Sequence, residues 1–171
     1  MGWFVMSNDN LQSIFTLDKI YIKDASIEVP NAPKIFLNRN QPNVEFNMSY
    51  NTLEIDNGVF ETTLHATINA KINHEQMFLI EIDQAAIFQM KNIPLEQMEM
   101  LHNVECPSYI FPYLRESVSD LTIKAGFAPV VLAPVNFNYL YQQKKETQSP
   151  LNVTNPSTQN VANSSTSNTI N

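Results

Sequence analysis

Reactive side chains are few, and their spacing assembles no chemistry. His65, His74 and His102 could bind a metal or shuttle a proton, but none stands at ligand spacing from another or from a supporting Cys or carboxylate. They read as exposed strand, turn and helix-end histidines. Cys106 precedes Pro107 and has no evident base to activate it, so it reads as a packed thiol and not a nucleophile. Asp24 with Glu28, and Glu81 with Asp83, are carboxylate pairs that could perform general acid–base work. On outward strand faces they read more simply as solvated surface, a charged face that discourages edge-to-edge aggregation. The three glycines are scattered, so no phosphate-cradling loop can be built. No catalytic residue, metal site or cofactor is expected, and the chain is not expected to be an enzyme.

The elements that position these residues follow from hydrophobic periodicity. Val44, Phe46, Met48 and Tyr50 alternate with Glu45, Asn47 and Ser49, which predicts a strand. Asn57-Gly58 is a turn signal. Beyond it, Phe60, Leu64, Ala66, Ile68, Ala70 and Ile72 alternate with Glu61, Thr63, His65, Thr67, Asn69 and Lys71. Asn73-His74-Glu75 punctuates, and then Phe78, Ile80 and Ile82 oppose Leu79, Glu81 and Asp83. Connections this short join antiparallel neighbours. An earlier strand over about 17–29 changes parity, with Ile20 and Ile22 even but Ala25, Ile27 and Val29 odd, which predicts a bulge near Lys23-Asp24.

The period then changes. Ser108 is placed to cap a helix with Phe111, Leu114, Val118, Leu121 and Ala125 as its apolar stripe, Pro112 in its first turn and Gly126 as its stop. Residues 127–134 read as an extended connector. Asn136 then caps a second helix, stapled by Val135 and Leu140. Strands followed by helices make the class α+β: a four-stranded antiparallel sheet and two main helices.

At 171 residues the chain is long enough for one core. A net charge of −7 disfavours nucleic acid and anionic membrane surfaces and favours a basic partner. One cysteine permits no intrachain disulfide, as in a reducing compartment. No apolar run approaches membrane-spanning length, so no membrane insertion is expected. The apolar start, Met1-Gly-Trp-Phe-Val-Met6, lacks a basic region and is no signal peptide. Residues 1–15 read as a flexible leader, with Met6 an alternative start. Residues 147–171 carry no charge and are rich in Asn, Ser and Thr, so they read as a disordered tail. Residues 16–146 form the expected folded domain.

Several blocks together resemble the SecB family of export chaperones. They are Ile20-Tyr21-Ile22-Lys23-Asp24 with Pro30-Asn31-Ala32-Pro33, then Gln41-Pro42, Cys106-Pro107, Phe111-Pro112-Tyr113, Arg115-Glu116 and Leu132-Ala133-Pro134-Val135-Asn136-Phe137. They occur in family order over about residues 16–143. The resemblance implies a cytoplasmic homotetramer, a dimer of dimers, that holds unfolded precursor proteins without ATP and delivers them to the SecA ATPase. Asp24, Glu28, Leu79 and Glu81 match the SecA-contacting positions. Val44, Phe46 and Met48, with Ile35 and Phe36 before them and Phe137, Leu140 and Tyr141 on the last helix, read either as ordinary core or as an incompletely covered client groove. Seven Met residues are compatible with an adaptable surface. Three departures stand out: Asn40 where family members often carry Trp, Ala85-Ala86 for a Gly pair expected after the fourth strand, and a tail without the usual charged and Gly-rich residues that contact SecA. Two other functions remain open at this point. One is a SecB-like chaperone dedicated to an antitoxin. The other is a small ligand-binding or enzymatic α+β domain, which a deep pocket with convergent polar groups would support.

Overall fold

A computed structural model describes residues 12–148; the expected leader up to Leu11 and the expected tail from Ser149 lie outside the described residues. Four strands, β1 (Ile14–Glu28), β2 (Asn43–Asp56), β3 (Val59–Ile72) and β4 (Glu75–Lys91), form one antiparallel sheet in the order β1-β4-β3-β2. Strand β1 starts inside the stretch expected as leader, because Phe15 stacks on Phe88 with ring centroids 5.6 Å apart. The strand carries two bulges. One skips Lys23, at the site the parity change predicts, and the other skips Asp18. Each restores the same set of residues to one face, so Leu17, Ile20, Ile22, Ala25 and Ile27 all share a side.

The turns follow their chemistry. Gly58 sits at φ +70° at the tip of the β2–β3 hairpin. Asn73 and His74 both adopt positive φ, so the β3–β4 connection has the two left-handed residues that a tight hairpin turn of matching twist requires. Strand β4 then runs to Lys91, which places Ala85 and Ala86 inside the strand and not after it, both fully buried and on opposite faces.

The helical part begins earlier than the sequence suggests. Helix α1 (Leu95–Met100), a wide π turn (Leu101–Glu105) and α2 (Cys106–Lys124) follow without a break. Ser108 is therefore no cap; its hydroxyl donates to the Val104 carbonyl at 2.5 Å inside the helix. The π turn precedes Pro107, whose missing N–H would otherwise serve the Asn103 carbonyl. That carbonyl instead accepts the Tyr50 hydroxyl of β2 at 3.1 Å. Pro112 stands in the interior of α2, on the exposed side with Ser108, where water can reach the carbonyl it orphans. The helix ends as expected: Gly126 has φ +89°, its N–H bonds the Ile123 carbonyl, and the Phe127 N–H bonds the Thr122 carbonyl, the paired bonds of a Schellman stop.

Residues 127–136 cross back over α2 as an extended connector. Arg115 Nε donates to the Leu132 carbonyl at 2.7 Å, and the Val130 N–H donates to Thr122 Oγ1 at 3.1 Å. Helix α3 (Phe137–Gln148) is capped by Asn136, whose Oδ1 accepts the Tyr139 N–H at 3.0 Å. The core lies between the even-numbered residues of β3 and β4 and the α2 residues Cys106, Ile110, Phe111, Leu114 and Val118. Gln84 is the one polar residue on that inner row of β4, and the Ser117 hydroxyl satisfies it at 3.1 Å.

The Tyr50 bond to the helix can be tested alone. Tyr50→Phe leaves the Asn103 carbonyl without its donor and should lower stability by about 0.5–1.5 kcal/mol. The shift should appear in the urea midpoint with an unchanged slope.

Candidate functional site: two faces of one sheet

Directly paired residues point to the same side of an antiparallel sheet, so register sorts every side chain. On the outer face Glu28 stands opposite Leu79, Ser26 opposite Glu81, and Asp24 opposite Asp83. The structure thus brings Asp24, Glu28, Leu79 and Glu81 onto one patch. Asp24, Glu28 and Glu81 are exposed, and Leu79 is half-buried among them. The bulge at Lys23 is what makes this so: without it Asp24 and Glu28 would turn to the helix side.

Sequence reasoning missed how this face is braced. Lys23, freed from the ladder, binds Glu61 at 2.7 Å, and the Tyr21 hydroxyl donates to the same carboxylate. Tyr21 pairs with Ala85, which pairs with Thr63, so the phenol crosses the outer surface and helps bury both small residues. The hydrogen bonds from Lys23 and Tyr21 hold the Glu61 carboxyl below its ordinary value. Burial, reinforced by Glu61, pushes the Tyr21 phenol up to about 12. Further along, His65 links the strands, with Nδ1 2.7 Å from Asp83 and Nε2 2.9 Å from Asn51. The parity of residues 61, 63, 65 and 83 carried this signal in the sequence.

On the helix side, Val44 pairs with Ala70, Phe46 with Ile68 and Met48 with Ala66. Helix α2 lies over β3 and β4, so this outer row of β2 is left half-open; Val44 is 39% exposed. Phe36 is exposed and packs on Phe127, whose ring in turn meets Phe78. Leu140 is also exposed. Ile35, Phe137 and Tyr141 are not available: all three are buried core residues. A 3₁₀ turn (Lys34–Leu37) tucks Ile35 inward. Phe137 meets Tyr50 and Phe111 edge-on at 5.9 and 5.8 Å, and Tyr141 donates to Glu99 at 2.6 Å.

His102 is half-buried and not a fully exposed helix-end histidine. It packs on Phe60 at 5.1 Å, its Nε2 is shielded and has no partner among the described residues, and burial lowers its pKa. Cys106 is fully buried, and its thiol is pushed up to about 12 by that burial, which leaves no thiolate at neutral pH. No group of three or more His, Cys, Asp or Glu among the described residues is placed to hold a metal. Among them, too, no helix is long and apolar enough to cross a membrane.

Fold and surfaces together describe an α+β binding module with a charged face on one side and a half-covered apolar row on the other. A family model described as preprotein translocase subunit SecB matches residues 8–148. The protein-export protein SecB of Nitrosospira multiformis is 43% identical over 157 residues, covering 91% of this chain and 99% of that one. That of Aromatoleum aromaticum is 49% identical over 135 residues, covering 78% and 85%. Among solved structures, the SecB-like chaperone of Mycobacterium tuberculosis in complex with a ChAD peptide from the HigA1 antitoxin shares the fold. It has a TM-score of 0.56 at 17% identity and covers 71% of this chain and 90% of that one. The chain belongs to the SecB family. It is a protein-export chaperone that binds unfolded client polypeptides, and it is not an enzyme.

The Glu61 brace has a pH signature. A carboxylate held below its ordinary value of 4.5 contributes stability that is present above that value and is lost as pH falls through and below it. The difference in Tm between the native chain and Glu61→Gln should be widest near pH 7 and should close as pH falls below 4.5, measured by thermal melts across that range.

Proposed function

We propose that the protein captures unfolded preproteins on the helix-side row of β2 and presents the outer face of β1 and β4 to the SecA motor. Capture draws on apolar burial and needs no nucleotide. The observation that carries this reading is that the two surfaces lie on opposite faces of one sheet, so a client on one leaves the other free. Glu28 and Glu81 flank Leu79, and Asp24 lies further along the same face, a pattern of negative charge that steers in and holds a basic surface around a small dry centre.

The working form is a homotetramer, a dimer of dimers, in the cytoplasm. Two apolar surfaces support self-association: Leu17 and Ile22 on the helix side of β1, at 40% and 52% exposure, and Tyr109 and Tyr113 on the outward side of α2. Naming of the relatives for protein export favours preproteins over an antitoxin as the client.

Changing Val44, Phe46 and Met48 together to Ala should weaken capture of an unfolded precursor by several kcal/mol at most. Native mass should still give the tetramer. Unchanged capture by the folded variant would place the groove elsewhere.

Charge reversal at Asp24 or Glu81 to Lys should lower SecA affinity by about one to a few kcal/mol, and added salt should weaken the native complex. Client aggregation assays should be unaffected. Calorimetry giving native SecA affinity in both variants would reduce this face to solvated surface.

A further inference from the structure

We propose that His65 sets the charge of the motor-docking face: it draws Asp83 away from Asp24 and carries a proton that a docking basic surface expels to solvent, so that SecA binding is coupled to proton release. The inference rests on the docking reading above and deepens it, since fixed carboxylates alone would dock a basic surface with no proton changing hands.

One row of the outer face runs from Asp24 of β1 through Asp83 of β4 and His65 of β3 to Ser49 of β2, each directly opposite the next. Opposite residues in an antiparallel pair have Cβ atoms about 4.5–5.5 Å apart, and like charges there repel. Asp24 and Asp83 make such a pair, and Glu81 lies one row along. His65 relieves the crowding. Its Nδ1 lies 2.7 Å from Asp83 Oδ1, which draws that carboxylate toward β3 and leaves Asp24 facing solvent. Among the described residues His65 is the one basic side chain in ion-pair contact with Asp83, and Lys23 of β1 is held by Glu61. The side chains of His65 and Asp83 are 43% and 32% exposed, so the pair is open to a partner.

The far side of the ring shows that the site accepts both charge states. Nε2 lies 2.9 Å from Asn51 Oδ1 of β2, so both ring nitrogens face oxygens that can only accept. A neutral imidazole has one N–H, whereas the imidazolium has two and satisfies both. The neutral ring fits the same place once the Asn51 amide turns over and offers its NH2 to Nε2. Asp24, Asp83 and His65 together then carry one net negative charge with the proton and two without it. The groups facing the ring are Asp83 from β4, with Glu81 a row along and Asp24 beyond it on β1, and Asn51 and Ser49 from β2. Thr63 and Thr67 flank it along β3, and Glu61 beyond Thr63 is held by Lys23 and Tyr21. These carboxylates favour the proton, and a basic surface laid over them opposes it. Linkage is reciprocal: docking that expels the proton is weakened wherever the solution keeps it bound.

Calorimetry of SecA against the full chain at pH 8 and pH 6, a range in which histidine side chains change charge, tests this. His65→Gln keeps a donor for Asp83 and cannot be charged, while His65→Lys is charged at both pH values. One unit charge several ångströms from a docked cation at a solvent-exposed interface is worth about threefold in affinity. The loss of affinity from pH 8 to pH 6 should therefore be about threefold larger for the native chain than for His65→Gln, a comparison that cancels the titrating groups of SecA. In two buffers of different ionisation enthalpy, native docking should release about 0.2 proton more than docking of His65→Gln. His65→Lys should bind about threefold more weakly than the native chain at pH 8 and should lack the extra loss at pH 6. Equal pH dependence and equal proton release in the native chain and a folded His65→Gln would overturn the inference, while weak binding by Asp24→Lys would leave the docking reading standing. Native SecA affinity in both Asp24→Lys and Glu81→Lys would overturn the docking reading and the inference with it. Should His65→Gln fail to fold, His65→Lys decides: pH dependence equal to the native one would overturn the inference, and its loss would support it.

Discussion

One helix is too narrow for this sheet. An α-helix with its side chains is about 10 Å across, whereas four strands about 4.8 Å apart span about 15–20 Å. Helix α2 therefore seals the central pair, β3 and β4, where Leu64, Ile68, Phe78, Ile80 and Phe88 are fully buried, and leaves the helix-side rows of both outer strands partly open. The connector and α3 narrow the gap over β2 without closing it, because Phe137 and Tyr141 are spent on Tyr50, Phe111 and Glu99. The unfilled width leaves apolar surface at both edges of the sheet: the β1 row beside the tyrosines of α2, which we propose for self-association, and the β2 row, which we propose for clients.

Strand alternation then keeps the two faces apart. A charged residue on the outer row of β4, such as Glu81, has its neighbours Ile80 and Ile82 in the core, so the acidic face is anchored by the most buried part of the molecule. The bulge at Lys23 extends that order to β1. It turns Asp24 and Glu28 outward while Ala25 and Ile27 stay inward, and it releases Lys23 to bind Glu61. A single inserted residue thus aligns the acidic patch across two strands and supplies the cation that braces the surface beside it.

The sheet was legible in the sequence because half-buried strands write their burial as alternation. The β1 bulge, the Asn57-Gly58 turn, the Gly126 stop and the Asn136 cap each have one local cause and were read from it. The second half of β4 was not, since Gln84 occupies an inner position and breaks the pattern; only its bond to Ser117, far away in sequence, makes it a core residue. The start of the helical run was hidden for a similar reason. Pro107 and Pro112 look like a beginning, and nothing local reveals that Tyr50 takes the carbonyl that Pro107 leaves free. Among the candidate client residues, Val44, Phe46 and Met48 are half-open while Ile35, Phe137 and Tyr141 are core. Their apolar character was equally visible, but whether such a residue is covered depends on packing between elements, which periodicity does not encode.

If the sheet separates its duties by face, client and motor must bind together. SecA titrated against the tetramer, empty and then saturated with an unfolded precursor that does not itself bind SecA, reads this directly by calorimetry. The same SecA affinity in both titrations, with a stable ternary complex by native mass, is the expected result. Displacement of the client by SecA, or loss of SecA binding once the client is loaded, would show that the two surfaces are not independent and would contradict the division.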